Sequence, residues 1–194
     1  MITTEAIKNL RAKTGASISD VKAALEKGGG DIDRAFQILE RSLGERGGSK
    51  VTRLTHEGIV DCYLHSDKKI GVLVELLCET DFVARTEEFR ALAHDIALHI
   101  AACNPLYVGR EDVPAEIVEA ERRFAEEEAS RLVKPKEIIE QIISGKLEKH
   151  FGEISLLTQP FVKNQDKTIG DIITEAAGKF GENIKVGRFV RFSI

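Results

Sequence analysis

Few side chains in this sequence are spaced for bond chemistry. His94 and His99 lie five residues apart, on different faces of any helix, whereas a helical two-histidine metal site needs an i, i+4 pair. Cys62, Cys78 and Cys103 are odd in number and lack metal-ligand spacing, which fits a reducing cytoplasm better than secretion. Cys62 and Cys78 fall within apolar alternation and read as small buried hydrophobes. Asp81 and His65 are the residue types of an acid–base hydrolase, the weakest of the functional readings. No GxxxxGKS/T phosphate loop, no GxGxxG after a strand and no nucleophile elbow occurs. The glycine-rich stretch 28–31 follows one helix and precedes another, so it reads as a turn. The expectation is a protein that is not an enzyme, with no catalytic residues, no metal and no cofactor.

The informative segment is Glu79-Thr80-Asp81-Phe82-Val83-Ala84-Arg85-Thr86. It joins an aliphatic strand to a helix. In one reading it is a hydrophobic staple, with Phe82 or Val83 packed on the helix start and Thr80 or Asp81 as cap. In the other, Phe82 is an exposed wedge, a rigid aromatic beside a carboxylate that enters a partner's cleft as binding anchors do.

The elements that must position this segment follow from periodicity. Ile7, Leu10 and Thr14 share a face of a first short helix. Ser17 with Asp20 opens a second, striped by Ile18, Val21, Ala24 and Leu25 and ended by Gly28, Gly29 and Gly30. Asp31 caps a third, with Ile32, Ala35, Phe36, Leu39 and Leu43 on one face. From Gly44 to Arg53 the chain has three glycines, four charged side chains and Val51 as its only large aliphatic. This predicts a flexible linker.

Two strands follow, in which Val60, Cys62 and Leu64 alternate with Asp61 and Tyr63, and Ile70, Val72, Val74, Leu76 and Cys78 with Gly71, Leu73 and Glu75. Each is assigned one apolar face. A third run places Ile184, Val186, Val190, Phe192 and Ile194 on one side, and it joins the same sheet because a lone hairpin is marginal. A helix over about 87–102, with Phe89, Leu92, Ala93, Ile96, Ala97 and Ile100, covers the sheet. Pro114 opens a charged helix with a thin stripe of Ile117, Phe124 and Leu132. The chain restarts at Lys134-Pro135 into a helix with Ile138, Ile139, Ile142, Ile143 and Leu147. Together these predict a helical hairpin projection over about 114–150. A last helix carries Ile169, Ile172, Ile173 and Ala176, with Thr168 placed to cap it.

Composition sets the class. The chain has 194 residues, 42% hydrophobic and 31% charged, with a net charge of -4. It has no basic surplus for general nucleic-acid binding. Residues 1–54 carry a balance of +3 and residues 55–113 one of -6. That unevenness reads either as ordinary solvated faces or as a basic head for an acidic surface. Thr3, Thr4, Glu5 and Lys8 interrupt any N-terminal apolar run, so no signal peptide and no membrane span are expected, and the protein is assigned to the cytoplasm.

The TDFVAR segment after an aliphatic strand resembles the signature of the translation elongation factor Ts family. So does the head: Leu10-Arg11-Ala12-Lys13-Thr14-Gly15-Ala16, then Asp20-Val21-Lys22-Ala23-Ala24-Leu25, then Gly30-Asp31-Ile32-Asp33 with Ala35. Gly152-Glu153-Ile154-Ser155-Leu156 and Gln159-Pro160-Phe161-Val162 resemble a further block. The matches run in order over nearly the whole chain.

The resemblance implies an α+β protein with a three-helix, ubiquitin-associated-like docking module over residues 1–43, a linker over 44–54 and a core over 55–194. The core's antiparallel sheet has strands at about 57–65, 69–78 and 184–194. It implies a guanine-nucleotide exchange factor for elongation factor Tu, in its GDP-bound and nucleotide-free forms. Thr80, Asp81, Phe82 and Val83 would dislodge the partner's magnesium, and Arg11, Ile18, Ser19 and His65 would dock. Long family members carry two core copies and a C-terminal helical tail. This sequence has room for one copy, with Tyr63-Leu64-His65 resembling the second copy's turn, and the tail is not expected. A homodimer is therefore expected, with no direct nucleic-acid or membrane partner. The alternative is a ubiquitin-associated-like binding adaptor on a dimeric scaffold.

Overall fold

A computed structural model describes residues 2–131 and 135–194. The chain divides into two compact units: Met1–Val60, Glu75–Ala93 and Asp171–Val186 form one, and Asp61–Val74, His94–Gly170 and Gly187–Ile194 the other.

The first unit begins with α1 (Thr4–Thr14), α2 (Ile18–Lys27) and α3 (Ile32–Gly48). Each starts where a short polar side chain satisfies a free backbone donor. Thr3 Oγ1 accepts from Ala6 N–H at 3.1 Å, Ser17 Oγ from Asp20 N–H at 3.1 Å and Asp31 Oδ1 from Arg34 N–H at 2.9 Å. Gly15 ends α1 in the left-handed region, at φ 64°. The buried stripes meet in one small core of Leu10, Ala16, Val21, Ala24, Leu25, Ala35, Leu39 and Leu43.

The flexible linker expected from Gly44 is corrected at its start, because Gly44–Gly48 continue α3. A side chain on Gly47 would run into the Thr174 carbonyl, and one on Gly178 into the Leu43 carbonyl. Two glycines thus let α3 cross α8 (Ile169–Phe180) at backbone distance. Glycine costs about 1 kcal/mol in a helix interior, so locally the run reads as a breaker. The close crossing reverses that preference.

The sheet has the order β1 (Glu57–Leu64), β2 (Ile70–Cys78), β5 (Lys185–Ser193). A tight turn joins β1 to β2: His65 N–H donates to Ile70 O at 2.9 Å, and Lys68 adopts φ 59°. Ile194 N–H donates to Lys69 O at the start of β2, and Asn183 N–H to the Glu79 carboxylate at its end. β5 therefore runs antiparallel to β2. Val72, Val74, Leu76 and Cys78 are buried as the alternation predicts.

The outer strands differ from their expected faces. On β1 the half-buried residues are Ile59, Asp61 and Tyr63, while Val60, Cys62 and Leu64 are exposed. Cys62 is thus not a buried hydrophobe, though Cys78 is. On β5, Val186 is buried and both Gly187 and Arg188 are exposed, so the alternation slips by one residue. Val190, Phe192 and Ile194 are exposed, not buried as a continuation of that alternation would require. Arg191 takes the inward position, where its Nε and Nη2 both donate to Ala101 O at 3.2 Å. Ala101 lies in the last turn of α5 (Glu87–Cys103), whose carbonyls lack helical partners.

On α5, Phe89, Ala93, Ile96, Ala97 and Ile100 are buried as expected. His99 is buried too. Its Nδ1 accepts from Val162 N–H at 3.2 Å, so Nε2 carries the proton and donates to Gln159 Oε1 at 2.9 Å. Burial lowers its pKa and the Gln159 bond opposes that, leaving a neutral structural ring. In the second unit α6 (Ala115–Ser130) and α7 (Lys136–Ile154) run antiparallel. Lys146 meets Glu128 at 2.5 Å, and His150 meets Glu121 at 3.9 Å. Phe124 is exposed and Ile117 marginally so, while Ala125, Ala129 and Phe151 are buried. Leu132 and Lys134 lie outside the described residues. A small hairpin, β3 (Pro160–Phe161) with β4 (Asn164–Thr168), precedes α8 and was not expected.

Candidate functional site: the turn between β2 and α5

The segment read as a polar junction forms a single helical turn, α4 (Asp81–Ala84). The alternation that buries Cys78 delivers the chain to Glu79 and Thr80 at the sheet's end. Thr86 closes the other side: its hydroxyl donates to Val83 O at 2.8 Å and accepts from Phe89 N–H at 3.2 Å, starting α5. Val83 and Ala84 are buried, so they anchor the turn. Phe82 points the other way and is 82% exposed. Val83 is therefore the packing residue and Phe82 is not a staple. Asp81 beside it pairs with Arg85 at 2.9 Å.

The turn is tied to the start of β5 by two carboxylates. Glu182 Oε2 accepts from Glu79 N–H at 3.1 Å and Thr80 N–H at 3.0 Å, and Oε1 accepts from the Thr80 hydroxyl at 2.6 Å. In return Glu79 Oε1 accepts from Asn183 N–H at 2.6 Å. Asn183 is buried, and its Nδ2 donates to Arg53 O at 2.6 Å and Val51 O at 3.2 Å. The Cys78 thiol donates to Thr80 O at 3.2 Å; burial, with the nearby Glu182 charge, pushes its pKa up to about 11. It is an inert thiol.

Asp81 is engaged by Arg85, and His65 Nδ1 lies 3.1 Å from the Tyr63 hydroxyl, so neither is set up as half of an acid–base pair. Among the described residues no cluster of three or more His, Cys, Asp or Glu could hold a metal ion. What the site presents is an aromatic ring held out on a braced turn, a geometry for binding.

The other residues singled out in the sequence are all exposed. Arg11 lies on α1 and Ile18 opens α2 with 57% of its surface free. Ser19 follows, its hydroxyl 2.8 Å from Ser17 Oγ. Arg11 also lines a cleft of about 570 Å³ with Lys8, Lys13, Lys179 and Glu88. His65, in the second unit, caps a row in which the Tyr63 ring lies edge-on to His94, and His94 Nδ1 is 3.4 Å from Asp61.

Residues 2–194 match the sequence model of the family described as Elongation factor TS. The chain belongs to the elongation factor Ts family. It is 51% identical over 193 residues to elongation factor Ts of Thermodesulfovibrio yellowstonii, covering 100% of this chain and 96% of that protein. It is 48% identical over 194 residues to those of Carboxydothermus hydrogenoformans and Thermosipho melanesiensis, covering 100% of this chain in each case and 89% and 99% of those proteins. The chain is thus a member of a family of translation factors, and among its described residues no helix is long and apolar enough to cross a membrane.

Sequence reasoning missed Glu182 and Asn183 in this elongation factor Ts family member. No local signal singles them out, because two polar residues between a helix end and a strand are ordinary for a connecting loop. Their partners lie about a hundred residues earlier, and no local pattern names them.

Proposed function

We propose that this chain is a guanine-nucleotide exchange factor for the translation GTPase elongation factor Tu, acting in the cytoplasm and performing no bond chemistry itself. The observation that carries the proposal is Phe82, a ring 82% exposed on a turn anchored by Val83 and braced through Thr80. An exposed aromatic gains nothing for the free protein. Against a partner's cleft it is a rigid anchor. Asp81 and Phe82 enter between two helices of the GDP-loaded partner and disturb its magnesium site and phosphate loop. GDP leaves, and GTP binds the nucleotide-free form. A thousandfold faster release needs about 4 kcal/mol off the barrier. Reciprocity then requires that nucleotide weaken factor binding by the same coupling energy that the factor imposes on nucleotide.

The three-helix head acts as a ubiquitin-associated-like docking module through Arg11, Ile18 and Ser19, and His65 makes a separate contact. All four are exposed, which supports that role. The chain acts as a homodimer. The support is the open sheet face, where Leu64, Leu73, Val190, Phe192 and Ile194 are all exposed; a run of apolar side chains on one face is what a second copy would cover. The α6–α7 pair forms the helical projection. The test is release of a fluorescent GDP analogue from elongation factor Tu, with excess unlabelled GDP and increasing amounts of this protein. Saturable acceleration is expected; release at the spontaneous rate refutes the function.

A further inference from the structure

We infer that Glu182 is a positioning residue for nucleotide exchange: its carboxylate sets the pitch of the turn that carries Phe82. The inference rests on the wedge reading above and adds a residue to it. Phe82 has no packing of its own to fix its direction, since most of its ring is exposed. Its aim is inherited from the backbone of Glu79–Val83. Val83 fixes one side by burial. The other side begins at Thr80, whose hydroxyl does not cap α4 although Thr80 occupies the cap position. The hydroxyl and the backbone N–H of Thr80 both go to Glu182, and the preceding N–H of Glu79 joins them.

A carboxylate receiving three donors is charge-assisted at each, and such bonds are shorter and stronger than neutral ones. Glu182 is itself held in place: the next residue, Asn183, is buried and bound through its backbone to Glu79 and through its side chain to Val51 and Arg53. The brace is therefore reciprocal. Each acid reaches across to the backbone beside the other, so Thr80 cannot rotate without breaking several bonds together. Glu182 does not reach Phe82; it acts through the backbone of Thr80.

The experiment measures maximal GDP release and half-saturating factor concentration for the parent, Glu182→Ala, Glu182→Gln, Phe82→Ala and the Phe82→Ala/Glu182→Ala double variant. Glu182→Ala is expected to slow maximal release roughly tenfold, the worth of one charge-assisted hydrogen bond. Its half-saturating concentration stays within about twofold, because the docking head is untouched. Glu182→Gln recovers most of the rate: a carboxamide oxygen still accepts from both backbone donors, and its NH₂ can donate to the Thr80 hydroxyl. In the Phe82→Ala background Glu182→Ala adds less than about twofold, since both act through one ring. An equal slowing in both backgrounds, or a parent rate for Glu182→Ala, overturns the inference. Parent-rate exchange by Phe82→Ala overturns the wedge reading and this inference with it, whereas slow Phe82→Ala beside parent-rate Glu182→Ala overturns the Glu182 role alone. Where Glu182→Ala fails to fold, Glu182→Asp against Glu182→Gln decides: the shorter Asp carboxylate cannot span all three donors and slows release by roughly two- to threefold, whereas Gln keeps most of the rate, and equal rates overturn the inference.

Discussion

Replacing Phe82 by Ala separates binding from folding. A fully buried Phe side chain contributes roughly 1.5–3 kcal/mol by burial. This ring is 82% exposed, so less than a fifth of that is at stake in the free protein. The loss is about 0.5 kcal/mol at most, or ~1–2 °C in melting temperature for a chain of this size. Alanine is also a good helix former, which offsets part of that loss within α4. In the complex the ring would be covered on both faces. Truncating an aromatic anchor there costs about 2–4 kcal/mol, which is roughly 30- to 900-fold in release rate. The same mutation is thus expected to leave the melting curve almost unmoved and to cut exchange by more than an order of magnitude. Stopped-flow release of a fluorescent GDP analogue, beside thermal melts of the free proteins, reads both. A variant that melts more than about 5 °C lower yet exchanges at the parent rate refutes the reasoning, because Phe82 would then be a folding residue.

Other perturbations probe the rest of the molecule. Asp81→Ala removes the Arg85 ion pair at 2.9 Å and is expected to slow exchange less than Phe82→Ala does; the double variant, measured in the same assay, should be less than additive because the two form one insert. Phe192→Glu places a charge on the open sheet face, where Phe192 is 68% exposed, and is expected to shift sedimentation from dimer to a 21.4 kDa monomer without lowering helicity. A parent protein that sediments only as monomer at micromolar concentration counts against the dimer, since a standard-size interface associates there. Two glycines of α3 should respond in opposite directions. Gly44 has open space around it, so Gly44→Ala is expected to stabilise by about 0.5–1 kcal/mol. Gly47→Ala drives a methyl into the Thr174 carbonyl and should destabilise by roughly 1–3 kcal/mol. Denaturant melts showing no difference between them would restore a flexible linker.

The local elements were legible in the residues because each rests on short-range physics. Thr3, Ser17 and Asp31 start helices since a short acceptor meets a free N–H within three residues. The stripe on α5 and the alternation on β2 announce which side is buried, since both elements are covered along that side. The ordered blocks from Leu10 to Val162 pointed to the family. The sequence also narrowed Phe82 to two readings, staple or wedge, and could go no further, because periodicity does not say which of two adjacent apolar residues turns inward.

Tertiary structure decided the rest, wherever the controlling partner lies far along the chain. Val83 rather than Phe82 is buried, on a turn whose Thr80 is held by Glu182, about a hundred residues on. Gly47 within α3 leaves room for the Thr174 carbonyl, which a side chain there would meet. Edge strands β1 and β5 do not obey their own alternation, since Asp61 and Arg191 each find a polar partner on α5, and their apolar neighbours are turned outward. A hydrogen bond or a close backbone approach outweighs the preference of a single residue, and neither leaves a mark in the residues next to it.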